Sequence, residues 1–181
     1  MILSDSELVE MLREPRTRRE GFAVLVKQYS EKLYWKVRRI VLSHEDANDV
    51  LQNVFIKVWS NLQNFQGKSS LSTWLYRIAI NESLDFLRKQ KLADNVSADE
   101  DVSVASRLMS DEYFDGDEVQ ARLQEAVARL PEVQRTVFNL KYFEEMKYSE
   151  MSQILNTSEG ALKASYHLAV KKITEYLHLF D

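Results

Sequence analysis

The sequence predicts an all-α protein built as two small helical domains, residues 1–91 and 119–181, joined by a flexible acidic linker over 92–118. Three observations predict this. Apolar residues keep helical spacing through both end segments, so that each segment offers stripes able to bury against one another. The chain has only 4 Gly and 2 Pro, which leaves few points where a helix would break. Its charge is unevenly divided: residues 1–91 carry 15 Lys and Arg against 11 Asp and Glu, residues 92–118 carry 1 against 9, and residues 119–181 carry 8 against 8. The formal net charge of −4 therefore belongs to the middle of the chain and not to its ends.

Composition excludes several classes. With no cysteine there are no disulfides, thiolate metal sites or thiol chemistry. No apolar run is long enough to cross a bilayer, and Ser4, Asp5, Glu7 and Glu10 interrupt any signal-peptide core, which predicts a cytoplasmic protein without membrane insertion. His44, His167 and His178 lie far apart without ligand spacing, and neither a Gly-rich phosphate loop nor a Ser/His/acid set stands out. No catalytic residue, metal ligand or cofactor is expected.

Taken in order, Ser4-Asp5-Ser6-Glu7 matches a capping box and opens a short helix through Leu8, Met11 and Leu12, ended near Pro15. From Arg18 the positions Phe22, Leu25, Val26, Tyr29, Leu33, Val37, Ile40 and Val41 describe one long or broken helix. Ser43-His44-Glu45-Asp46 caps the next, which runs to about Leu62. Its core stripe is Ala47, Val50, Leu51, Val54, Val58 and Leu62; the other side gathers Asp49, Gln52, Asn53, Ile56 and Trp59. Apolar groups rimmed by a carboxylate and amides suit docking of a protein partner, although packing of Ile56 and Trp59 beneath another helix of the same domain explains them equally well.

Asn61 to Ser70 reads as a helix end and a polar loop with Gly67 as its pivot, after which Ser72 or Thr73 can cap a helix running to about Lys91. That helix turns Leu75, Tyr76, Ala79, Ser83, Phe86 and Leu87 inward, and Trp74, Arg77, Asn81 and Arg88 outward. Cations with an aromatic on one face suit single-stranded nucleic acid, where Arg meets phosphate and indole stacks on a base; Trp74 covering the core edge is the plainer alternative.

Beyond the acidic stretch, Leu123, Ala126, Val127 and Leu130 form a stripe, Pro131 opens the next helix at its first position, and Val133, Val137 and Leu140 continue the core. Tyr148, Met151, Ile154 and Leu155 mark a short helix, and Asn156-Thr157-Ser158 supplies a turn and an N-cap before Glu159. In the last helix Leu162, Tyr166, Ala169, Ile173, Tyr176 and Phe180 face inward, whereas Gly160, Lys163, Ala164, His167 and Lys171 face outward. Small and cationic side chains on the second helix of a helix-turn-helix can approach base edges and phosphates in a major groove.

Two blocks in this order resemble the extracytoplasmic-function group of bacterial RNA polymerase sigma factors. Asp46 through Trp59, Phe65, and Thr73 through Asn81 resemble region 2; Leu130-Pro131-Glu132-Val133-Gln134-Arg135, Lys141-Tyr142-Phe143 and Ser158 through Lys163 resemble region 4. The resemblance implies core RNA polymerase as partner, through the clamp of the largest subunit and the flap of the second-largest. It assigns clamp docking to Asp49, Gln52, Asn53 and Ile56. It assigns the melted minus-ten strand to Asn64, Phe65, Gln66, Gly67, Lys68, Ser69 and Ser70 in the loop and to Trp74, Arg77, Asn81 and Arg88 on the helix. Duplex minus-thirty-five DNA falls to Ser158, Glu159, Gly160, Lys163, Ala164, Ser165 and His167, with Lys171 and Lys172 on phosphates. An anti-sigma factor is a further implied partner, and the acidic tether would thread the basic channels of the polymerase.

The chain also departs from the family pattern. Ser165 and Leu168 stand where many members carry Arg, Lys147 replaces a Ser cap, and Asn53 stands where an acidic residue is common. A stand-alone helix-turn-helix regulator would account for 148–180 but leaves the Asp49/Gln52/Ile56 and Trp74/Arg77/Asn81 faces unexplained.

Overall fold

The computed structural model describes residues 2–93 and 116–180, and every regular element among them is helical. The chain divides into two compact units, Met1–Asn95 and Val96–Asp181.

In the first unit α1 spans Asp5–Arg13, α2 Arg18–Val41, α3 His44–Asn61, a 3-10 turn Leu62–Asn64, and α4 Leu71–Ala93. The expected capping box is present: Ser4 Oγ accepts from Glu7 N–H at 3.3 Å while Glu7 Oε2 accepts from Ser4 N–H at 2.8 Å. α2 is continuous. It ends because Leu42 takes a left-handed conformation, φ 69°, and returns its N–H to the Arg38 carbonyl at 2.9 Å. α2 packs against α1, α3 and α4, and α3 against α4. Between them Leu25, Leu33, Val37, Ala47, Val50, Val54, Val58, Leu75 and Ala79 are sealed from solvent. Ile80 and Tyr34 join this core without having been expected there, and Leu51 and Phe86 reach it only in part.

The cap of α4 differs from expectation. Ser70 Oγ accepts from Thr73 N–H at 3.1 Å, so the helix starts two residues earlier than a Ser72 cap would allow. The reason is Leu71, which is buried and needs helical geometry to complete the inner stripe.

In the second unit α5 spans Glu118–Ala128, α6 Glu132–Phe138, a π turn Asn139–Phe143, α7 Tyr148–Leu155, α8 Glu159–Leu177, and a closing 3-10 turn His178–Phe180. Its core gathers Ala126, Val127, Leu130, Phe138, Ala169 and Ile173, with Leu123, Phe143, Tyr166 and Tyr176 packed on the edge. Phe138 stacks on Tyr166 with centroids 5.8 Å apart and planes 16° apart.

Three expectations for this unit are corrected. Val133 is 64% exposed, because α6 is short and turns Thr136, Val137 and Phe138 inward instead. Pro131 is the N-cap of α6 and not its first residue, with extended ψ of 144°. Phe180 lies beyond the end of α8 and is half exposed, its ring edge-on to Tyr176 at 5.3 Å and covered by the Arg122 guanidinium at 5.0 Å. Of the expected 92–118 linker, Leu92 and Ala93 finish α4 and Asp117 caps α5, accepting from Gln120 N–H at 2.9 Å; residues 94–115, with most of the acid, lie outside the described residues.

Candidate nucleic-acid interface

Three surfaces carry the residues singled out by sequence, two on the first unit and one on the second. On α3 the core stripe holds the helix down and so fixes what faces outward. Asp49, Gln52 and Asn53 are exposed, and Ile56 is 63% exposed. Packing of Ile56 beneath a neighbouring helix is therefore excluded within this unit. Trp59 is intermediate between the two readings: 42% exposed, its ring meets Phe22 of α2 edge-on at 5.0 Å. At the head of α3, burial pushes the Asp46 carboxyl up from its ordinary value, Asp49 and Glu45 adding to the rise and hydrogen bonds with Ser43 and Gln90 working against it. An apolar centre beside this acidic end is complementary to a basic partner with an apolar contact of its own.

The loop after α3 and the outer face of α4 form the second surface. Asn64, Gln66, Gly67, Lys68 and Ser70 are exposed, with Phe65 and Ser69 half-buried. Gly67 holds φ 71°, a conformation that an L side chain resists, so the loop's turn depends on this glycine. Trp74 lies with its ring centroid 5.0 Å from Phe65, planes tilted by 47°, which brings the two aromatic positions of loop and helix together. It is half-buried, and so it is neither a sealed core residue nor a free platform. Asn81 and Arg88 are exposed on the same helical face, Arg77 is half-buried, and Arg88 is held by Asp85 at 2.8 Å, one turn away.

Two contacts beside this face had no sequence signal. The Lys57 ammonium pairs with the Glu82 carboxylate, tying α3 to α4, and the Lys36 ammonium of α2 lies 4.1 Å from the centroid of the Tyr76 ring of α4. Each joins residues far apart in the chain, so periodicity along one helix cannot show them.

The third surface is α8. Ser158 Oγ accepts from Ala161 N–H at 3.3 Å and caps the helix, while Asn156 at φ 49° ends α7 just before it. Leu162, Ala169 and Ile173 are buried, which leaves Glu159, Gly160, Lys163, Ala164, His167, Lys171 and Lys172 exposed and Ser165 half-buried. A Cβ added at Gly160 would meet nothing within 4 Å, so this end of the helix is open to a ligand's close approach. Lys163 lies 5.6 Å from the Tyr148 ring of α7, a contact that orients it along the helix-turn-helix. Lys171 is within 4.0 Å of Glu175, on the following turn. Leu168 is also exposed, so an apolar side chain sits at the border of this face.

The two units coincide with two family matches. A family described as Sigma-70 region 2 matches residues 25–93, and one described as Sigma-70, region 4 matches residues 120–173. The chain is 32% identical to the ECF RNA polymerase sigma factor SigW of Bacillus subtilis over 82% of its length and 84% of that protein. It is 30% identical to the RNA polymerase sigma-H factor of Pseudomonas aeruginosa over 96% and 93%, respectively. Its fold is similar to that of the sigma factor RpoE in complex with the anti-sigma factor NepR from Bartonella quintana, with TM-score 0.70, 20% identity, and coverage of 88% of this chain and 98% of that one. It is also similar to CnrH in complex with the cytosolic domain of CnrY, with TM-score 0.64, 20% identity, and coverage of 98% and 96%.

Proposed function

The chain belongs to the extracytoplasmic-function group of sigma-70 factors, and on that premise we propose which of its surfaces performs each part of initiation. α3 docks on the clamp of the largest subunit of core RNA polymerase through Asp49, Gln52, Asn53 and Ile56. The loop 64–70 and the Trp74/Arg77/Asn81/Arg88 face of α4 hold the melted minus-ten strand, with a base flipped into the loop. The second unit meets the flap of the second-largest subunit and lays α8 into duplex minus-thirty-five DNA. Ser158, Glu159, Gly160, Lys163, Ala164, Ser165 and His167 face the groove there, and Lys171 and Lys172 meet phosphates. The polymerase performs the chemistry; this chain chooses where it begins.

The observation that carries this reading is the exposed α3 face. A regulator that binds an operator unaided needs only the helix-turn-helix, whereas Ile56 standing in solvent within a polar rim gains its stability when a protein covers it. Capture by an anti-sigma factor is proposed on the same footing, since two solved proteins of similar fold are complexes with such a factor or a cytosolic domain. Among the described residues no helix is long and apolar enough to cross a membrane.

Transcription of genomic fragments by core polymerase, with and without the chain, tests the assignment. New RNA 5′ ends are expected only when the chain is present, upstream of which a common pair of DNA elements emerges. Identical 5′ ends in both reactions would refute it.

A further inference from the structure

One cation reaches the minus-ten loop from an element outside the three surfaces. A Cβ built on Gly67 would lie 3.4 Å from Nη2 of Arg13, the last residue of α1. Arg13 thus stands over the one loop position where backbone is bare. α1 is fixed in this place. Arg18 donates from Nε to the Leu12 carbonyl at 3.0 Å and from Nη2 to the Arg13 carbonyl at 3.2 Å. At the other end Gln28 donates to the Leu3 carbonyl at 2.9 Å and accepts from Leu3 N–H at 3.2 Å.

Charge at this edge favours an anion. Arg13, Arg16, Arg19 and Lys68 are all exposed, and Arg13 forms no ion pair with a carboxylate among the described residues. Carbonyls at a helix C-terminus ordinarily repel an anion. Here Arg18 has capped two of them, which removes that objection.

We propose that Arg13, with Lys68 next to Gly67 in the chain, binds the phosphodiester backbone of the melted strand on the side of the captured base away from α4. This rests on the reading of loop 64–70 as the base-capturing element. α4 joins the loop at Ser70, and Arg13 meets it three residues earlier, at Gly67. A strand lying along Asn81 and Arg88 that turns one base into the loop and continues past Gly67 would meet Arg13, whose Nη2 lies 3.4 Å from a Cβ built there. A guanidinium suits the position because its fork can donate two parallel hydrogen bonds to one phosphate.

The test uses holoenzyme assembled from the full chain and core RNA polymerase. Two labelled single strands are taken from a promoter that this holoenzyme transcribes: one of about 20 nucleotides, and one truncated at the end of the minus-ten element that lies beyond the captured base from α4, lacking the phosphates assigned to Arg13. Arg13→Ala is expected to weaken the long strand about three- to tenfold near 0.1 M salt and to lower its salt slope by about 0.7, the value for one single-strand phosphate contact. Binding of the truncated strand is expected to be unchanged. Arg13→Gln, which keeps the aliphatic stem over Gly67, should show the same selective loss. Equal loss on both strands, or none, overturns the proposal. Asn81→Ala separates the two levels. If it weakens both strands while Arg13→Ala weakens neither, only the Arg13 assignment falls; if Asn81→Ala also changes nothing, the reading of loop and α4 falls with it.

Discussion

At the scale of single residues, one missing methyl group decides how closely α1 seats on α2. A Cβ on Gly21 would stand 2.9 Å from Cβ of Met11 and 3.3 Å from the backbone nitrogen of Leu12, too close for either neighbour to yield freely. Gly21→Ala is expected to cost about 1–3 kcal/mol of stability, read as a lower urea midpoint of the first unit; an unchanged midpoint would show that α1 is loosely held. Lys36 gives a second prediction at this scale. Burial, reinforced by Arg39 and Lys32, lowers its ammonium to about 8 in the folded chain, from an ordinary 10.5. Between those two values the unfolded chain binds more protons at this position than the folded one, so the contribution of Lys36 to stability rises as pH increases across that window. Tyr29 works in the opposite sense above pH 10: burial and its hydrogen bond to Asp5 raise its hydroxyl, so its contribution falls there. Denaturation midpoints of the parent and Lys36→Met chains should therefore diverge in favour of the parent from pH 8 to 10. Parallel curves would contradict the burial of Lys36 beside Arg39 and Lys32.

At the scale of elements, α8 is set by its cap and one buried stripe. Ser158→Ala removes the acceptor for Ala161 N–H and should cost about 1 kcal/mol, measured by thermal unfolding of the second unit. Lys163→Ala and Lys171→Ala leave the stripe untouched, and each is expected to lower the salt slope of holoenzyme binding to duplex promoter DNA by about 0.9. An unaltered slope would move the duplex away from this face. Helices α2, α3 and α8 were legible because each is long enough for several turns of apolar spacing to agree. Ile56 was legible as a residue off the stripe, but only the packed unit shows that nothing covers it. α6 was not: its seven residues are too few for apolar spacing to repeat and show which side is inward, so Val133 looks like a partner of Val137 and yet faces solvent. Thr136 in α6 and Asn139 in the π turn that follows it are buried and carry no apolar signal at all. Contacts between elements, such as Lys57 with Glu82 or Arg13 over Gly67, depend on helix placement and leave no trace in local sequence.

At the scale of the whole molecule, the proposed assignment separates two tasks between two units, neither of which would read a promoter by the means of the other. The first presents the exposed α3 face proposed to dock on core polymerase and the loop and α4 face proposed for the unpaired strand; the second presents α8, proposed for the duplex, with few cations and with Ser165 and Leu168 at its middle. With few cations on α8, duplex affinity is expected to be weak, which would make binding to core polymerase the step on which promoter recognition depends. The measurement that tests this most directly is equilibrium binding of the full chain to labelled core RNA polymerase, comparing the parent with Asp49→Ala and Gln52→Ala, followed by promoter duplex with and without core. Tight binding to core is expected, with a loss of tenfold or more, about 1.4 kcal/mol, in at least one variant, and specific duplex binding only in the complex. No affinity for core, together with salt-sensitive and sequence-specific duplex binding by the chain alone, would contradict it.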